Sequence, residues 1–268
     1  MSAKLPLVLL PPSEGKSPGG NGAPWKPGTM SVDLDDARCQ VQAELAAAMH
    51  RPEADRARLL GVKGEALRAA TAANLALDTS PCRPAIERYD GVLYRALDAP
   101  SLGASGRRRL TSTVLVFSGL WGLVAPRDQI PDYKLKMGAS LPATGRLATW
   151  WRDPITAALA ERAKGRTVWN LLPSEHDAAW APERVDCREV LSVRFLDRRA
   201  DGALVAVSHW NKHLKGALVR LLLEQPSTHL AELARWEHPA GYRLDPERTE
   251  RRGPTTLLTF VAPESTRA

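Results

Sequence analysis

The sequence predicts an α/β fold, a mixed β-sheet core wrapped by helices. Short apolar, β-branched runs alternate with helical patterns along the whole chain. Three of the runs are nearly continuous, as in strands covered on both faces. The 268 residues, 44% hydrophobic and 25% charged, suffice for one large domain. No internal repeat or domain-scale linker divides them, so a single domain over 1–268 is expected, with a small helical insertion at about 51–80.

The expected strands are 5–10 (LPLVLL), 113–117 (TVLVF), 166–172 (RTVWNLL), 190–196 (VLSVRFL), 203–209 (ALVAVSH) and 256–262 (TLLTFVA). Residues 33–50 carry Leu34, Ala37, Val41, Leu45, Ala48 and Met49 at helical spacing, with Ser31 or Asp33 as N-cap. Residues 17–29, rich in Gly and Pro, read as a loop. Asp153-Pro154 reads as N-cap and first-turn proline of a helix to about Lys164, ended by Gly165. Residues 212–224 form a further amphipathic helix.

The stretch LLGVKGEALRAA, residues 59–70, predicts two helices, 53–60 and 65–76, joined by a turn at Gly61–Gly64. Gly61 and Gly64 permit positive φ, and Val62 plugs between the helices. Lys63 lies in the turn, and the first N–H groups of the second helix are free to meet a phosphate. The pattern fits a helix-hairpin-helix DNA-backbone reader and equally an ordinary αα-hairpin.

Net charge is +7 with pI ≈ 9.6. Residues 103–166 hold eleven Lys/Arg and four Asp/Glu, so this segment carries the whole excess. A polyanion or phosphorylated ligand suits such a segment, as does a merely solvated basic face. Cys39, Cys82 and Cys187 are far apart and form no C-x-x-C pair, which points away from a zinc site or disulfide framework. No apolar run reaches the length of a membrane span. The run after Lys4 stops at Pro11, too short for a signal peptide, so a cytoplasmic protein without membrane partner is expected.

Polar clusters follow four of the expected strands. They are Ser13-x-x-Lys16; Ser118 to Gly122; Asn170 with Ser174, Glu175 and His176; and His209, Asn211 and Lys212. Ligands of α/β sheets gather at carboxyl strand ends, so these clusters predict a shared pocket if their strands neighbour one another. The segment EGKS is not a Walker A loop. Leu10 stands where its first glycine belongs, and Pro11 and Pro12 remove donors. S-x-x-K is a known spacing for a serine nucleophile with a lysine base, which would need Lys16 desolvated and neutral. His209 and His213 are spaced i, i+4 but lack an acidic third ligand nearby, so no metal is expected.

Several ordered blocks carry a family resemblance. They are Ser13 to Lys16; Tyr89-Asp90-Gly91-Val92-Leu93-Tyr94-Arg95-Ala96-Leu97; Ser118 to Gly138; Asn170 to Glu175; Lys212 to Gly216; and Gly241-Tyr242. In these the chain resembles the peroxide-stress YaaA family. The resemblance implies a cytoplasmic oxidative-stress protein that binds DNA through a helix-hairpin-helix element and a basic cleft, with 59–76 in the element's place. The chain departs from the usual pattern at Ala125 before Pro126, with Arg127 after it. It departs also at Lys136 where an acid is usual, at Lys215 where Arg is usual, and at Glu14-Gly15 within the S-x-x-K loop.

Two functions are therefore expected. In the first, DNA phosphates are neutralised by Arg107, Arg108, Arg109, Lys134, Lys136, Lys212 and Lys215, with donors from Gly61, Val62, Lys63 and Gly64. In the second, an enzyme acts on a small anionic or nucleotide-like ligand. Its pocket holds Ser13, Lys16, Glu175 and Lys212, with Ser118, Asn170, Arg127 and Tyr133 around them. Glu175 would be the general acid or base, and Ser13 or Ser118 the nucleophile or orienting group. No metal or nucleotide cofactor is expected.

Overall fold

Leu7–Leu10 forms strand β1, and all four side chains are at most 2% exposed. Burial on both faces requires covered neighbours, and β1 lies at the middle of the sheet. The computed structural model of the chain describes residues 4–199, 201–207, 210–225 and 233–263. Besides β1 its main sheet contains β2 (Val114–Ser118), β3 (Gly122–Val124), β4 (Thr167–Asn170), β5 (Glu189–Arg198), β6 (Leu204–Ala206), β7 (Arg243–Arg252) and β8 (Thr255–Val261). The order is β7-β8-β5-β4-β1-β2-β3, with β6 paired to β5. The five inner strands from β8 to β2 run parallel, while β3, β6 and β7 pair antiparallel. Leu196 pairs with both Val261 and Ala206, so β6 occupies the edge of β5 beyond the end of β4.

The β1–β2 crossover holds α1 (Asp35–Met49), α2 (Glu53–Leu60), α3 (Gly64–Leu75), α4 (Ala85–Arg88), α5 (Val92–Leu97) and α6 (Ala104–Thr113). Between β3 and β4 lie α7 (Leu147–Trp150) and α8 (Arg152–Ala163). The short α9 (Ser174–Asp177) follows β4, and α10 (Asn211–Glu224) precedes β7. One apolar core runs from the sheet to the helices, with Val41, Leu45, Leu97, Ile155 and Leu218 all fully buried.

Some local expectations need correction. Neither Ser31 nor Asp33 caps α1 in the usual way; Leu34 occupies the cap position with no side-chain bond. Ser31 instead donates its N–H and hydroxyl to Asp128 at 2.9 and 2.6 Å. Likewise α8 begins at Arg152, because α7 runs almost directly into it through buried Trp151, and Asp153 pairs with Arg184 at 2.6 Å. Of the expected strand 203–209, residues 204–206 form β6, while His209 lies outside the described residues.

A fully buried Arg38 ties α1 to the β2–β3 turn. Its guanidinium donates to the carbonyls of Trp121, Val32 and Leu123 at 3.0, 2.7 and 2.9 Å, and to Asp35 at 2.7 Å. Burial is tolerated because the donors are satisfied by fixed acceptors.

Candidate functional site

The carboxyl ends of β2, β1 and β4 lie side by side, so three of the four polar clusters follow neighbouring strands. The fourth strand, β6, is not beside them, yet α10 brings Lys212 and Lys215 back. Arg220 of α10 donates to the Leu97 and Asp98 carbonyls at the end of α5, both at 3.2 Å. One turn earlier Gly216 faces Leu93; a Cβ there would stand 2.3 Å from the Leu93 carbonyl oxygen. The two helices therefore run parallel, and Lys212, a further turn back, sits level with the start of α5 at Gly91.

The loop after β1 is stitched to the segment before α5. Ser17 donates its N–H to Arg88 at 2.8 Å, and Asp90 donates to Gly15 at 3.0 Å. A Cβ on Gly91 would lie 2.2 Å from the Ser13 hydroxyl oxygen, and one on Gly15 would lie 2.5 Å from the Asp90 carbonyl. The backbone contact demands glycine at position 15, and a side chain at position 91 would have to displace the Ser13 hydroxyl. Buried Arg88 closes it by donating to the carbonyls of Ser17, Ile130 and Pro81 at 2.5, 3.2 and 3.3 Å.

Lys16 points inward from this loop. Its Nζ donates to the Ser13 carbonyl at 3.3 Å and lies 4.2 Å from the Tyr133 ring centroid. Among the described residues no carboxylate comes within ion-pair distance of it. Burial therefore brings its pKa down to about 8, with Asp132 opposing and Lys134 adding to the shift. Lys215 is similar: its Nζ donates to the Leu171 carbonyl at 3.0 Å, and burial lowers its pKa to about 8.

Ser118 has a different role from the one expected of a nucleophile. Its oxygen accepts N–H bonds from Leu120 and Trp121 at 3.3 and 3.1 Å and lies 2.8 Å from the Tyr133 hydroxyl. With both lone pairs engaged, its proton goes to Tyr133, and Tyr133 meets Tyr89 at 2.9 Å. Burial raises the pKa of Tyr133 to about 12, so this buried relay is neutral. Asn170 is also an organiser. It donates to Asp177 at 2.7 Å and accepts from the Leu172 N–H at 3.2 Å, and the Trp180 indole reaches the same Asp177 oxygen at 3.0 Å.

Glu175 accepts the Gly138 N–H at 2.6 Å, which docks α9 against the end of the Ser118–Gly138 block. Beside it stands His176, a residue to which the sequence assigned no role. Burial pushes its pKa down to about 4, Glu175 opposing and Lys212 adding, and its Nδ1 is buried without a partner. Exposed Lys212 is thus close enough to be felt by His176. Asn211, at the start of α10, likewise has a buried Oδ1 with no partner. Polarity beside a strand end was the only sequence signal for either.

The α2–α3 hairpin adjoins this site. Gly61 ends α2 with φ 67° and donates to Ala57 at 2.9 Å; Gly64 opens α3 with φ 57°. Val62 packs against the core, while Gly61, Lys63 and Gly64 are exposed. Lys136 reaches over the turn, its Nζ 3.5 Å from where a Gly61 Cβ would be. On α3, buried Asn74 clamps the Lys134 peptide from both sides, donating to its carbonyl at 2.9 Å and accepting its N–H at 2.8 Å. Glu14 lies between Lys134 and Lys136, at 3.0 and 3.5 Å, and these ammonium groups hold its pKa below the ordinary value. Two departures from the family pattern, Glu14 and Lys136, thus form one ion pair.

Other candidates lie elsewhere. Arg109 caps the end of α10 through the carbonyls of Leu223 and Glu224. Arg107 bonds the Leu102 carbonyl, and Arg108 bonds Ser105. Arg127 lines a separate cleft together with Arg83 and Arg107. His213 meets the Trp210 ring edge-on. Among the described residues no group of three His, Cys, Asp or Glu could hold a metal ion, and no helix is long and apolar enough to cross a membrane.

The family model described as peroxide stress protein YaaA matches residues 7–248. A UPF0246 protein of Streptomyces coelicolor is 41% identical over 259 residues, 95% of this chain and 98% of its own length. A UPF0246 protein of Corynebacterium glutamicum is 37% identical over 233 residues, 84% of this chain and 89% of its own length. One from Corynebacterium efficiens is 35% identical over 246 residues, 89% of this chain and 94% of its own length. Matched over nearly its whole length, the chain belongs to the peroxide stress protein YaaA family.

Proposed function

We propose that the chain is a cytoplasmic DNA-binding protein of the peroxide-stress response, holding the phosphate backbone at the α2–α3 hairpin. The supporting observation is Lys136 over Gly61, which sets an ammonium against the turn that also carries exposed Lys63. Two glycines with positive φ bring the backbone close to a phosphate, and two lysines supply the charge. Contacts of this kind carry little sequence information. Fluorescence anisotropy with duplex DNA tests the reading. Lys63→Glu is expected to weaken binding at least about tenfold, as reversal of a phosphate-facing charge should. Unchanged affinity would remove the hairpin from the interface.

A second reading is favoured by Lys16 and Lys215, two half-buried ammonium groups whose hydrogen-bond acceptors are carbonyls. Buried cations without carboxylates suit a small anionic ligand. We infer a strand-end pocket with Lys16, Lys215 and Lys212 as anion holders and His176 or Glu175 as proton acceptor. The Ser118 hydroxyl is spent on the turn and on Tyr133, leaving Ser13 as the available hydroxyl. The enzymatic reading predicts that a small phosphate or carboxylate metabolite raises the melting temperature of the wild type and not of Lys16→Met.

A further inference from the structure

A concave site lies beside the seam that holds Lys16. It is a cleft of about 910 Å³, reached by Ser17, Tyr89 and Asp90 from the seam and bounded by α6 and the loop after β3. The volume is within the range of small-molecule pockets. Its charges are arranged unlike those of the strand-end pocket. Three arginines from three separate segments, Arg83, Arg107 and Arg127, converge on it without a carboxylate partner among the described residues. Arg83 and Arg107 each bond one carbonyl, of Pro18 at 2.9 Å and Leu102 at 2.5 Å. Arg127 has no hydrogen-bond or ion-pair partner among the described residues.

The acids of the cleft are mostly engaged. Asp90 is held by Arg95 through bonds of 2.8 and 3.3 Å, and Asp98 lies 3.8 Å from Arg220. Glu87 alone is exposed and unpartnered among the described residues. The floor between these groups is apolar, made by Pro84, Ile86, Leu110 and Pro126. A ligand matching the whole cleft has several anionic oxygens for planar guanidinium forks. It also has hydroxyl or amine donors for Glu87 and a flat apolar face for the floor. A simple carboxylate lacks the charge, and an inorganic anion lacks the face.

We propose that this cleft binds a nucleoside polyphosphate. The phosphates lie against Arg107 and Arg127 with Arg83 behind them, the sugar hydroxyls face Glu87, and the base covers the floor. The site is separate from the hairpin and from the Lys16 pocket, and it belongs to neither function proposed above.

Isothermal titration calorimetry with ADP, adenosine and pyrophosphate on the full chain tests the proposal. ADP is expected to bind, and the exposed double variant Arg107→Ala/Arg127→Ala to lose at least about tenfold in affinity, the usual scale for charge-assisted hydrogen bonds. Adenosine and pyrophosphate are each expected to bind at least about tenfold more weakly than ADP, and Lys63→Glu to leave ADP binding unchanged. The proposal is overturned by no ADP binding at millimolar concentration, or by equal binding to a double variant that melts like the wild type. Pyrophosphate as tight as ADP, or loss of ADP binding in Lys63→Glu, would overturn it as well.

Discussion

Lys16 lies over the face of Tyr133, with its Nζ 4.2 Å from the ring centroid. The ring and the Ser13 carbonyl are poor substitutes for a carboxylate. Burial lowers the folded-state pKa from 10.5 to about 8. Below pH 8 Lys16 is charged in both states, and the folded protein bears the full burial cost. Between about 8 and 10.5 the unfolded chain binds more protons, so this residue's contribution to stability rises with pH. Lys16→Met should therefore stabilise the protein at pH 7 by about 1–3 kcal/mol, with the gain shrinking towards pH 10. Urea denaturation of both proteins across pH 6–10 measures it; a constant difference would refute the buried-cation account.

The Ser118–Tyr133 contact predicts a structural defect. Ser118→Ala leaves the Tyr133 hydroxyl with Tyr89 as its one remaining partner among the described residues and removes the acceptor of two N–H groups. A loss of about 1–3 kcal/mol is expected. In a double-mutant cycle with Tyr133→Phe the two losses should be less than additive. Additive losses would mean the two hydroxyls do not act as one unit.

Gly216 sets how closely α10 approaches α5. A methyl group there would stand 2.3 Å from the Leu93 carbonyl and 2.7 Å from the Ala96 Cβ. Neither neighbour is the flexible end of a side chain. Gly216→Ala should cost about 1–3 kcal/mol in thermal or urea unfolding despite its better helix propensity. A stabilised variant would show that the parallel α5–α10 packing is wrong.

Much of this architecture was legible in the sequence because burial leaves a pattern. The runs around Leu7–Leu10, Val114–Ser118 and Thr255–Val261 are apolar because both sheet faces are covered. The hairpin helices were legible within a residue or so, because Gly61 and Gly64 mark their ends. Strand β7 was not: its sequence RLDPERTERR is an edge with seven charged residues of ten, with Pro246 and a register shift between Asp245 and Glu250. Arginine is ordinarily a surface residue, yet Arg38 and Arg88 are each at most 1% exposed. Only tertiary structure supplies the carbonyls that satisfy them. Arg127 was grouped by sequence proximity with the strand-end pocket, while the turn at Pro126–Asp128 carries it to the other cleft.

Glu14 pairs with both Lys134 and Lys136 beside the hairpin. Because the ion pairs are exposed, Glu14→Gln should change stability by less than about 1 kcal/mol. It should nevertheless tighten DNA binding several-fold by releasing Lys134 and Lys136. Anisotropy at fixed salt reads this directly, and weakened binding would place the DNA away from this edge.

The salt dependence of DNA affinity in the wild type and in Lys136→Gln tests the hairpin account most directly. A phosphate contact contributes about 0.9 to the slope of log K against log salt. The account predicts a steep wild-type slope that becomes shallower by about 0.9 in Lys136→Gln, with weaker binding at every salt concentration. Identical slopes and affinities for the two proteins would contradict it.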